Sequence, residues 1–144
     1  MTYLIVVGVD GSTQSDDAVR WALEEAEFRG GEVTAVFAWQ VPFLSFPGAY
    51  DRDELEKAAK EFLLDRLSSI APSPAVPLRP LVAEGDPAES LIVASEEADV
   101  LVLGTRGRSR FPGLALGSVS QRCAAAARCP VLLVKAPPRR PETG

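Results

Sequence analysis

A chain of 144 residues with 47% hydrophobic side chains fits one domain with a buried core, and it is too short for two independent ones. No apolar run approaches the roughly 20 residues that a bilayer-spanning helix needs. The net charge of −5 argues against electrostatic binding to nucleic acid or to an anionic membrane, so neither is expected as a partner.

The first apolar segment, "YLIVVGV" at residues 3–9, is continuous and β-branched, the pattern of a central parallel strand buried on both faces. It begins without the basic start or small-residue cleavage site of a secretory signal, so a soluble, cytoplasmic protein is expected. "DGSTQSDDAVRWALEEAEFRGG" follows, with cap candidates at Ser12 and Ser15 and acids in the first turn. Its apolar positions Ala18, Val19, Ala22, Leu23 and Ala26 keep helical spacing, and Gly30 and Gly31 stop it. A second strand is expected over residues 32–39, then a long loop to Tyr50. A second helix, "DRDELEKAAKEFLLDRLSSI", should turn Leu55, Ala59, Phe62, Leu63 and Leu67 inward.

A short strand over residues 78–83 leads to "EGDPAESLIVASEEA", where Asp86 as cap, Pro87 at the first helical position and Glu89 at the third make a helix start. "DVLVLG" is a fourth buried strand. After the loop "GTRGRSRFPGLALGSVS" at residues 104–120, a helix over residues 118–128 and a fifth strand, "PVLLVK", complete the pattern. The domain is expected over residues 1–136, and the proline-rich end at 137–144 should be disordered. Cys123 and Cys129 stand six apart in a chain without histidine, so zinc-ligand spacing is absent. Both read as small packing residues, against a disulfide or a reactive thiol.

Strands alternating with helices predict a mostly parallel sheet covered on both faces with right-handed crossovers. In such sheets ligands bind beyond the carboxyl ends of the strands, where strand order reverses. "VDGS" ends the first strand and "GTRG" the fourth, so both unusual loops fall at that end. The second loop also holds Arg106, Arg108 and Arg110, within a stretch from residue 100 to 141 that contains eight basic residues and no acid. Glycines let backbone N–H groups approach an anion, a helix start adds free donors, and Ser118 and Ser120 can add hydroxyls. The same composition also fits a flexible surface loop ahead of a serine-capped helix.

Gly104, Gly107, Gly117 and Ser118 match the spacing G-x2-G-x9-G-(S/T), flanked by "GVDGS", "EGDPAESLIVASEEADVLVLGTRG" and "GSVSQRCAAAARCPVLLVK". In these features the chain resembles the nucleotide-binding universal stress proteins over residues 3–135. The resemblance implies a single-domain α/β fold, Rossmann-like and of the adenine nucleotide alpha hydrolase kind, with five parallel strands in the order 3-2-1-4-5. It implies ATP, ADP or AMP bound with Mg. Gly104, Gly107, Gly117, Ser118 and Val119 would hold phosphates through backbone N–H groups and the Ser118 hydroxyl, with Ser120 assisting and Arg106 and Arg108 near the ligand. Asp10, beside Val9 and Gly11, would approach the ribose or a nucleotide-bound Mg, although a carboxylate before a helix can simply cap it. Ala38 would meet adenine through its backbone, and Leu103 would pack nearby. Trp39, Phe43, Phe46 and Tyr50 form either an aromatic wall beside adenine or a cover for the local core.

These features fit a regulatory nucleotide-binding module in stress response, with an unknown protein partner. The alternative is a slow ATPase or phosphotransfer enzyme, for which no base beyond Asp10 is evident. A purely structural module with an empty crevice is disfavoured by the glycine spacing. No GK(S/T) signature exists for a P-loop, and the paired acids and phosphoacceptor aspartate of a receiver domain are missing. The fifth strand would lie at a sheet edge, and an exposed apolar edge invites pairing. A homodimer through Val131–Val134 is therefore expected.

Overall fold

The computed structural model describes residues 1–41, 48–105 and 116–135. Its elements follow the order β1 (Leu4–Gly8), α1 (Thr13–Arg29), β2 (Glu32–Trp39), α2 (Arg52–Ile70), β3 (Leu78–Glu84), α3 (Pro87–Ala94), β4 (Val100–Gly104), α4 (Ser118–Ala126) and β5 (Val131–Val134). The strands pair in parallel in the order β3-β2-β1-β4-β5.

Local chemistry sets the helix boundaries. Ser12 caps α1, its hydroxyl oxygen accepting from the Ser15 N–H, and Gly30 ends the helix in the left-handed region at φ 66°. Asp51 and Asp86 cap α2 and α3 in the same way, accepting from the Asp53 and Glu89 N–H groups. Gly31 is forced by packing, since a Cβ there would lie 2.3 Å from the Tyr3 carbonyl oxygen. One boundary differs from the sequence pattern: α4 stops at Ala126, and Ala127 is already extended (φ −64°, ψ 146°). The chain uses residues 127–130 to reverse into β5, and Pro130 disfavours helix at the residue before it.

Side chains alternate across the strands and build two cores. Ile5, Val7, Val33, Ala35, Val100 and Val102 pack against α1 and α2, joined by Ala18, Val19, Ala22, Leu63 and Leu67. Val6, Val36, Leu101 and Leu103 pack against α3 and α4, joined by Ala88, Leu91 and Cys123. Of the inward positions expected on α2, Ala59, Leu63 and Leu67 are buried, while Leu55 and Phe62 are half-buried. Both cysteines are free. Cys123 is buried, its thiol within 3.8 Å of the Ala88 carbonyl oxygen, and burial pushes that thiol up to about 11.

The helices on one face belong to the first half of the chain and those on the other to the second. The reversal therefore falls between β1 and β4, and the chain leaves these neighbouring strands toward opposite faces. That divergence opens a crevice at their carboxyl ends.

Candidate functional site

The crevice is a cavity of about 340 Å³, within the range of small-molecule sites. Its floor comes from the ends of β1, β2 and β4, and one side from Pro87 and Leu91 of α3. The other side is the first turn of α4, with Gly117, Ser118, Val119 and Ser120. Asp10 is the one charged residue among the described residues that line it.

The loop after β1 is organised by its own side chains. The Asp10 N–H donates to Ser15 Oγ at 3.2 Å, and the Ser12 N–H donates to Asp10 Oδ1 at 2.9 Å. Gly11 between them has φ 84°, a conformation glycine adopts without steric cost. The cap of α1 is Ser12, two residues on, and Asp10 lines the cavity.

Strand parity aims the backbone of β2. Val36 accepts from the Val9 N–H on the β1 side, while Trp39 accepts from the Gly85 N–H on the β3 side. Backbone groups alternate from residue to residue along a strand. The N–H and C=O of Ala38 therefore point toward β1, past the end of that strand and into the crevice.

At α4 the first helical bond runs from the Gln121 N–H to the Gly117 carbonyl, and the cap residue Gly117 offers no side chain. The N–H groups of Ser118, Val119 and Ser120 thus form a helix start with no side-chain cap among the described residues, with the positive end of its dipole facing the cavity. Two groups expected to serve a ligand have partners within the protein. The Gly117 N–H donates to the Thr105 carbonyl at 2.7 Å, and Ser120, 3% exposed, donates its hydroxyl to the Gly104 carbonyl at 2.7 Å. Together they close the base of the loop between β4 and α4. The reason for glycine at 104 is also structural, because a Cβ there would stand 2.9 Å from Gln14 Cβ on α1.

A family model for the universal stress protein family matches residues 1–135. The chain belongs to the universal stress protein family. Universal stress protein Rv2623 of Mycobacterium tuberculosis is 35% identical over 133 residues, covering 91% of this chain and 44% of its own length. Universal stress protein Rv2005c of the same organism is 37% identical over 133 residues, covering 91% and 45%. The chain thus spans under half the length of these curated relatives. Among solved structures, the universal stress protein UspA of Lactobacillus plantarum superposes with a TM-score of 0.77 at 23% identity, covering 92% of this chain and 97% of that one. A universal stress protein in complex with cAMP superposes with a TM-score of 0.66 at 29% identity, covering 93% and 97%.

Within this universal stress protein fold, Val9, Asp10, Ala38, Leu103, Gly104, Gly117, Ser118, Val119 and Ser120 meet around a single shared cavity. Gly11 stands outside the lining, its carbonyl accepting from Arg66 at 2.9 Å. Arg106, Gly107 and Arg108 lie outside the described residues, as do Phe43, Phe46 and the proline-rich end. Of the aromatics that could wall adenine or cover the local core, Trp39 and Tyr50 do not line the cavity, while Phe37 does. Leu91 and Pro87 were invisible to motif spacing because α3 reaches the crevice only through the sheet order. Gly8 had a visible signal, a glycine inside a β-branched run. A Cβ there would meet Leu103 Cδ2 at 2.6 Å and Leu91 Cδ1 at 3.1 Å, so its absence lets both leucines close over the floor.

Proposed function

We propose that this universal stress protein binds an adenine nucleotide in the crevice and acts as a nucleotide-dependent regulatory module in stress response. The observation that carries the reading is the convergence in one cavity of an apolar slot, an outward-facing strand backbone and an uncapped helix start. The cAMP complex of a 29% identical family member supports it.

The base would lie over Val9, Leu91 and Leu103, with its polar edge against the N–H and C=O of Ala38. Phosphates would take the N–H groups of Ser118, Val119 and Ser120, which have no partner among the described residues, and the exposed Ser118 hydroxyl. Gly104 would contribute at the loop base and Gly117 as the small cap residue that leaves the helix start open. Arg106, Gly107 and Arg108 enter this reading on the motif alone. Asp10 has one carboxylate oxygen committed to the Ser12 N–H. The other would face the ribose or a Mg ion carried by the phosphates, and a bound Mg would offset carboxylate–phosphate repulsion. Gly11 serves as the turn that presents Asp10.

ATP, ADP and AMP would each present a base and a phosphate to these contacts. Binding without efficient turnover is the favoured reading, because catalysis needs contacts made preferentially to the transition state. Asp10 is the only ionisable side chain among the described lining residues. The edge position of Val131–Val134 suits a homodimer through β5, and a monomer at micromolar concentration in sedimentation would refute that pairing. A cytoplasmic location fits this reading, and no described helix is long and apolar enough to cross a membrane.

The test is release of small molecules from freshly purified protein, with identification by mass, followed by titration calorimetry with Mg-ATP. An adenine nucleotide in the extract, or saturable binding of added nucleotide, is the expected result. Absence of both refutes the proposal. Steady release of phosphate from ATP would favour the ATPase alternative.

A further inference from the structure

We infer that Arg66, on α2 and outside the cavity, is a positioning residue that holds the Asp10 loop in its ligand-ready shape. The inference rests on the nucleotide-binding reading above. Arg66 Nε donates to Asp16 Oδ1 at 2.8 Å and Nη2 to Asp16 Oδ2 at 2.6 Å, a two-pronged pair with the first turn of α1. Nη2 also donates to the Gly11 carbonyl at 2.9 Å. The Asp16 side chain is only 13% exposed, so the pair is shielded from solvent on that side.

The two bonds to Asp16 staple α2 to α1. The third does something else, because Gly11 belongs to neither helix. It is the residue after Asp10, with φ 84°, and its peptide is the most easily rotated in the loop. The bonds at Asp10 and Ser12 join that loop to itself and to α1. Among the described residues, Arg66 supplies the side-chain tie from a distant element, 55 positions along the chain. It selects one orientation of the Gly11 peptide and so fixes where the Asp10 carboxylate stands over the cavity. A lysine could replace the charge but not the planar fork that serves Asp16 and Gly11 together.

The experiment compares the full chain with R66Q, R66K and D16N by titration calorimetry of ATP with and without Mg²⁺, alongside thermal melts. R66Q is expected to weaken Mg-ATP binding about tenfold, the scale at which outer partners of a liganding group act. It should also shrink the gain in affinity that Mg²⁺ confers, since Asp10 is the displaced group. D16N breaks the same helix staple but leaves the Gly11 carbonyl bond available, so it should lower the melting temperature with a smaller loss of affinity. Should R66Q not fold, R66K carries the same expectation in weaker form. Equal losses in R66Q and D16N, or an unchanged Mg²⁺ gain in R66Q and R66K, would mean that Arg66 is a staple only and would overturn the inference. A wild-type chain that binds no adenine nucleotide overturns the proposed function itself, and this inference with it.

Discussion

Replacing Ser118 with aspartate separates phosphate binding from folding. Ser118 is exposed, lines the cavity and is the first residue of α4, whose cap offers no side chain. A carboxylate at that position is favoured by the helix dipole, by about 0.3–1 kcal/mol. In a domain of this size that corresponds to a melting temperature higher by about 1–3 °C. The same carboxylate would stand about 5 Å from a phosphate held at the helix start. With an effective dielectric constant of about 60 at this exposed site, the repulsion is about 1 kcal/mol per unit of phosphate charge. A terminal phosphate with about two charges therefore loses about 2 kcal/mol, roughly a thirtyfold weakening. Titration calorimetry with ATP and with adenosine reads both arms, and thermal melts read the third. The expected pattern is weaker ATP binding, unchanged adenosine binding and equal or greater stability. Unchanged ATP affinity, or equal losses for ATP and adenosine, would show that phosphates do not sit at the α4 start.

Three further outcomes follow from the packing and the titrating groups. Gly104→Ala places a Cβ 2.9 Å from Gln14 Cβ and 3.2 Å from the Gln14 carbonyl carbon. It should cost about 1–3 kcal/mol in urea unfolding through overpacking, and a cost near zero would show that α1 can shift away. Cys123 is buried with its thiol pushed up to about 11, so at pH 8 a thiol reagent should label Cys129 in the native protein and reach Cys123 only on unfolding. Equal labelling rates would contradict the described burial. The Glu89 N–H, and then the Arg122 guanidinium at 2.7 Å, hold the Asp86 carboxyl below its usual range. Its stabilising effect is thus present above the unfolded pKa of about 3.9 and lost as pH falls through the lower folded value. Asp86→Ala should cost about 1 kcal/mol at pH 7 through the lost cap, and the gap between mutant and wild type should narrow below about pH 4. A gap independent of pH would place the effect elsewhere.

The local elements were legible along the chain, because caps, turns and periodicity act over a few residues. Asp86, Pro87 and Glu89 start α3 wherever the rest of the chain goes, and Gly30 can end α1 with no neighbour within 4 Å of a would-be Cβ. The continuous apolar runs at β1 and β4 declared strands buried on both faces. The glycine spacing pointed to a family, and with it a strand order that no local pattern encodes. The partners of each site group came from the packed fold, since hydrogen bonds across the sheet depend on through-space position and not on spacing. The Ser120 hydroxyl and the Gly117 N–H read as ligand donors in the loop, yet both donate within the protein, to the Gly104 and Thr105 carbonyls. Gly104 lines the cavity as the spacing suggested, and it also makes room for Gln14, which no spacing could show. Arg66 carried no signal at all, because its contact with Gly11 exists only once α2 has packed on α1.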